Sequence, residues 1–132
     1  MKHLVLAILA ACAASAQACP TIEVQNLREN QGNVMIAVYA DAASFNKKPV
    51  FVTMLKATGN TATVKACGVE SAEFSVAVFQ DLNGDGKLNS NVFGIPEEPW
   101  GASGSPSAFS APTWETSKVA SSSSPVIVKL SQ

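Results

Sequence analysis

The amino-acid sequence predicts an all-β protein: a single antiparallel β-sandwich of about seven strands, immunoglobulin-like or prealbumin-like, with a long ordered loop region. Three observations point there. Short runs rich in β-branched residues alternate apolar with polar at a period of two. Gly, Asn and Pro punctuate these runs at short intervals. No stretch sustains the 3.6-residue apolar period of a long helix.

Thr21-Ile22-Glu23-Val24-Gln25 alternates cleanly, as a half-buried strand does. Asn30-Gln31-Gly32 marks a turn. Residues 33–40 then set Val34, Ile36 and Val38 on one face and Met35, Ala37 and Tyr39 on the other, which suits a central strand. Asp41-Ala42-Ala43-Ser44-Phe45 allows one helical turn ahead of Pro49. Residues 50–56, β-branched and aromatic, read as a strand. Thr58-Gly59-Asn60 turns the chain, and residues 61–67 alternate again with Ala62, Val64 and Ala66 on one face. After Gly68, residues 74–79 give a fifth strand. Met35 and Met54 fall inside strands and are expected in the core rather than as copper ligands.

The composition then changes. Residues 84–104 hold five of the eight glycines, and residues 96–112 hold four of the seven prolines. Long loops in compact domains are either functional or disordered; Phe93, Trp100, Phe109 and Trp114 argue for order. Residues 121–124 form a polar turn, and residues 125–130 close the domain as the last strand.

Residues 1–18, MKHLVLAILAACAASAQA, have the pattern of a signal peptide: a short polar start, an apolar run, and Ala16-Gln17-Ala18 as a small-x-small cleavage site. Residues 19–132 are then one domain, and the apolar run is too short to span a membrane. A rival reading takes Leu9-Ala10-Ala11-Cys12 as a lipoprotein box, with Cys12 the anchored residue. On the first reading the domain works in the periplasm or is secreted. Cleavage leaves Cys19 and Cys67, an even pair that an oxidising compartment joins. The bond closes a 48-residue loop, worth about 4 kcal/mol in the chain-entropy model.

Export also removes chemistry. His3 is the only histidine, so the mature domain has no imidazole for acid–base, nucleophilic or zinc chemistry. The net charge of −1 and the 14% charged residues exclude an electrostatic nucleic-acid binder. No other segment is apolar enough to be transmembrane. The inventory suits binding more than catalysis.

One segment concentrates polar chemistry. Residues 81–91 place oxygen-bearing Asp81, Asn83, Asp85 and Asn89 at loop positions 1, 3, 5 and 9. Gly86 falls at position 6 and the Lys87 carbonyl at position 7. That is the spacing of a calcium loop, in which alternate residues turn hard oxygens inward and glycine permits the bend. Position 12, where a bidentate Glu belongs, is Val92. Such a site binds Ca²⁺ weakly, in the ~10⁻⁴–10⁻³ M range, unless Glu97 or Glu98 folds back to complete it. The same residues also read as a metal-free run of turns, with Asn83-Gly84 and Asp85-Gly86 as turn dipeptides. Adjacent Glu97 and Glu98 make a poor glycosidase pair. Phe93, Glu98, Trp100 and Trp114 are candidates for a ligand surface; aromatics folding over the end of the sandwich to finish its core is the alternative.

These residues also resemble a known family. Asn26-Leu27-Arg28, Gly32, residues 34–39, Asp41 and Ser44-Phe45 carry the first part of the likeness. Residues 76–79, Asp81, Asn83-Gly84, Gly86-Lys87-Leu88, Gly94-Ile95-Pro96, Glu98-Pro99 and Gly101 carry the second. Phe109, Pro112 and Trp114-Glu115 complete it. On them the chain resembles the bacterial exported "domain of unknown function 2141" over nearly all of residues 20–130. It departs at Ser71-Ala72-Glu73-Phe74, where the family has Gly-Thr-Tyr, and at Asn89, where the family often has Asp. The resemblance implies a small β-sandwich outside the cytoplasm and supplies no activity.

The expected function is a non-enzymatic exported module, with the 81–91 loop as a calcium site and an aromatic loop surface facing an unknown envelope ligand or protein. The rivals are an envelope enzyme acting on glycan or lipid through Asp81, Asp85 or Glu98, and a purely structural envelope protein.

Overall fold

Alternation at a period of two becomes two sheets whose inward faces meet. The computed structural model describes residues 19–107 and 110–131; the leader expected over residues 1–18, and Phe109, lie outside the described residues. In chain order the elements are β1 (Thr21–Gln25), β2 (Asn33–Tyr39), β3 (Phe51–Lys56), β4 (Thr61–Lys65), β5 (Glu73–Asp81), β6 (Trp100–Ala102), α1 (Trp114–Ser117), β7 (Lys118–Ala120) and β8 (Val126–Lys129).

β4, β1 and β8 form one sheet, and β3, β2, β5 and β6 the other, with β7 also on β5. Pairing is antiparallel except β1 with β8, which is parallel. The antiparallel sandwich expected from the sequence is there, with this one parallel pair: the last strand lies beside the first, in the same direction. β6 and β7 share one flank of β5, at Ala77–Phe79 and Glu73–Ser75 respectively. Strands of three residues are too short for a periodic signal, and neither was expected. The turn after β2 is a series of bends in which Asp41 Oδ1 accepts the Ser44 N–H and the Ser44 carbonyl accepts the N–H groups of Lys47 and Lys48.

The core lies between the sheets. Ile22, Val24, Val126 and Val128 face Val34, Ile36, Val38, Phe74, Val76 and Val78, all buried. The methionines are a correction. Met35 is half-buried and Met54 is 59% exposed, because both point to the outer face of the larger sheet. Periodicity separates two faces of a strand, and here both faces are apolar. Cys19 is bonded to Cys67 at an S–S distance of 2.07 Å, tying the start of β1 to the end of β4.

Candidate metal centre

The site grows from the end of β5. Gln80 and Asp81 are both buried. The Gln80 carboxamide accepts the Arg28 N–H at 2.9 Å and donates to the carbonyls of Arg28 and Gln31 at 2.7 and 2.6 Å. It therefore fastens the β1–β2 turn against β5. That turn brings Gly32 onto the backbone of Asp81, where a Cβ would sit 1.9 Å from the Asp81 carbonyl oxygen. Only glycine fits, and its φ of +60° agrees.

Asp81 organises the loop that leaves β5. Its Oδ1 accepts the Gly84 N–H at 3.0 Å and its Oδ2 the Gly86 N–H at 2.8 Å. Both glycines have positive φ, so the chain can wrap around the carboxylate. Asp85 accepts the Lys87 N–H at 2.9 Å and the Asn89 side-chain amide at 2.8 Å. Those two donors, the Asn89 amide foremost, hold its carboxyl below the usual carboxylate range. Asn83 donates to Asn89 Oδ1 at 3.0 Å and accepts the Asp85 N–H at 3.2 Å.

Glu98 returns from the far side of the loop. It is 6% exposed, its Oε2 accepts the Leu82 N–H at 2.6 Å, and its Oε1 accepts the Asn89 N–H at 2.9 Å. Asp81, Asp85 and Glu98 each bring one carboxylate oxygen to within 4.8 Å of the others. Asp81, Asn83, Asp85 and Asn89 thus share one loop with the Lys87 backbone, while the exposed Glu97 has no part in the cluster. Three converging carboxylates are hard oxygen donors that could hold a divalent cation. Spacing alone left Glu98 unassigned, since it lies beyond a twelve-residue template. Gln80 and Gly32 carried no signal as parts of the site.

Between Asn89 and Glu97 the chain makes a small excursion. The Asn89 carbonyl accepts the Glu97 N–H, Ser90 bridges to Pro96, and Asn91 Oδ1 accepts the N–H groups of Phe93 and Ile95. At its tip Val92 and Phe93 are 94% and 84% exposed.

The four residues expected to share a ligand surface are dispersed. Phe93 is on the tip, and Glu98 is turned into the cluster. Trp100 lies on β6 opposite Phe79 and borders an apolar hollow of about 330 Å³ on the outer face of the larger sheet, together with Met35, Tyr39, Val52 and Leu88. Trp114 meets Phe45 edge-on at 6.4 Å, and Phe45 meets Tyr39 at 5.5 Å. Both tryptophans are half-buried.

Fold and loop together define a small disulfide-pinned β-sandwich carrying a carboxylate-lined loop at the end of its central strand. The chain belongs to the bacterial family described as "Uncharacterized protein conserved in bacteria (DUF2141)", which matches residues 22–129. Neither the curated proteins nor the solved structures give a match. Among the described residues no helix is long and apolar enough to cross a membrane.

Proposed function

We propose that this chain is an exported, non-enzymatic β-sandwich module that binds Ca²⁺ through the loop from Asp81 to Glu98. One observation carries the reading: Glu98 folds back beside Asp81 and Asp85, so that three carboxylates share a space 4.8 Å across. It supplies the acidic ligand that Val92 cannot. Asp81, Asn83, Asp85, Asn89, Glu98 and the Lys87 carbonyl then offer six oxygens, the lower end of the six to eight that calcium takes. Export is supported by the Cys19–Cys67 bond, which oxidising compartments favour. The absence of histidine from residues 19–132 supports a binding role.

Calorimetric titration of the purified protein tests this. The expected result is a dissociation constant in the ~10⁻⁴–10⁻³ M range. At ten times that constant the ion stabilises the fold by about 1.4 kcal/mol. Asp85→Ala abolishes both effects. No heat and no change in Tm at several millimolar Ca²⁺ overturns the reading.

A second reading is favoured by a specific observation: both oxygens of Asp81 and both of Glu98 already accept backbone N–H groups. On that reading the loop is a self-sufficient structural turn. Glu98→Gln then lowers Tm equally with Ca²⁺ and with chelator, whereas on the calcium reading its penalty is larger with Ca²⁺.

A further inference from the structure

We infer that the tip formed by Val92, Phe93 and Ile95 docks onto a bilayer bearing anionic headgroups once a divalent cation occupies the loop at its root; the cation dependence rests on the calcium reading above. The three side chains are 94%, 84% and 59% exposed, a contiguous apolar projection that contributes nothing to the core. Its shape is nevertheless fixed. Asn91 Oδ1 accepts the Phe93 and Ile95 N–H groups at 2.9 and 3.1 Å. The Asn91 carbonyl accepts the Gly94 N–H at 3.0 Å, and the Ile95 carbonyl accepts the Asn91 N–H at 2.9 Å. Polar side-chain and backbone bonds thus hold apolar side chains out in water, an arrangement that gains free energy only when something apolar receives them.

Area and charge identify the receiver. Three such side chains offer on the order of 400 Å², about half of the ~800 Å² that each partner gives to a stable protein interface. A bilayer interface needs no complementary shape and accepts a convex apolar tip. The root carries Asp81, Asp85, Glu97 and Glu98 against Lys87, an excess of negative charge that an anionic leaflet repels. A bound divalent cation removes most of that excess. Because calcium takes up to eight oxygens and the loop offers six, up to two positions are left for headgroup oxygens. The two arms that carry the tip are joined at the root: the Asn89 N–H goes to Glu98 and the Glu97 N–H to the Asn89 carbonyl.

The test is flotation of the purified protein with vesicles of phosphatidylcholine alone and of phosphatidylcholine with phosphatidylglycerol, in millimolar Ca²⁺ or in chelator, beside calorimetric Ca²⁺ titration of the same samples. The inference expects co-flotation only with the anionic vesicles and only with Ca²⁺. Phe93→Ser and Val92→Ser each weaken it by about tenfold or more, with Ca²⁺ affinity and Tm unchanged. Calcium heat without vesicle binding overturns the docking and leaves the calcium reading standing. Vesicle binding that is equal in chelator overturns the cation dependence. Absence of both heat and flotation overturns both readings. A Phe93-dependent dimer in light scattering, without flotation, overturns the bilayer in favour of a second copy of this chain.

Discussion

The sandwich and the loop from Asp81 to Glu98 are ordered by opposite means. In the sandwich, buried Ile, Val and Phe side chains from both sheets fill one layer, and the backbone is paired in ladders. In the loop, no residue between Asp81 and Glu98 is buried. Its shape comes from carboxylate and carboxamide oxygens accepting N–H groups. The first mode is indifferent to ions and proton concentration. The second depends on both, because its organising groups are charged. A domain can thus keep a rigid frame while leaving one end responsive to its medium.

Removing Phe74, the largest fully buried side chain, breaks the first mode. Phe74→Ala should cost about 3–5 kcal/mol, measured as a lower denaturant midpoint at unchanged slope. In native-state hydrogen exchange the amides of β2 and β5 should lose protection with it. The loop amides, which open locally, should change little.

Gln80 joins the two regions, and its loss should cost less. Gln80→Met keeps the length of the side chain but leaves the Arg28 N–H and the carbonyls of Arg28 and Gln31 without their partner. The expected destabilisation is about 1–3 kcal/mol. Because Gly32 packs on Asp81 in the same turn, protection of the Gly84 and Gly86 amides should fall as well. Unaltered exchange at those two glycines would mean that the loop does not depend on the turn that presses against it.

The difference between the regions also explains what could be read in advance. β1 to β5 were legible because one face of each strand is buried or, in β3 and β4, half-buried against the core, and burial writes a period of two into the sequence. β6 and β7 were not, since three residues cannot show a period. The parallel register of β1 with β8 joins the two ends of the domain and leaves no local trace. Met54 was misplaced because the outer face of the larger sheet is apolar too. In the loop, the positions of Asp81, Asn83, Asp85 and Asn89 were legible through ligand spacing. Glu98 was left open because the excursion around Asn91 separates it from the template by a distance that only the fold cancels.

The smallest expected effect is a matter of pH, and it isolates the loop from the frame. Asp85 is held below the ordinary carboxylate range, first by the Asn89 side-chain amide and then by the Lys87 N–H. A depressed folded-state pKa means that the unfolded chain takes up a proton first as acid is added. The ionised carboxylate therefore contributes stability above the unfolded value, near pH 3.9, and that contribution is lost as pH falls through the lower folded value. Asp41, in the exposed turn after β2, is depressed in the same direction, by the Ser44 backbone N–H and then its side chain, and so serves as a control outside the loop. The Tm difference between the wild-type protein and Asp85→Asn should be greatest near pH 6 and close up towards pH 2. Asp41→Asn should behave likewise at its own turn, without altering exchange at Lys87 or Asn89. Millimolar Ca²⁺ should widen the Asp85→Asn gap at pH 6 and leave the Asp41→Asn gap as it was, since Asp41 lies outside the carboxylate cluster. Equal responses of the two variants to the ion would place the effect of Ca²⁺ on general screening rather than on the loop.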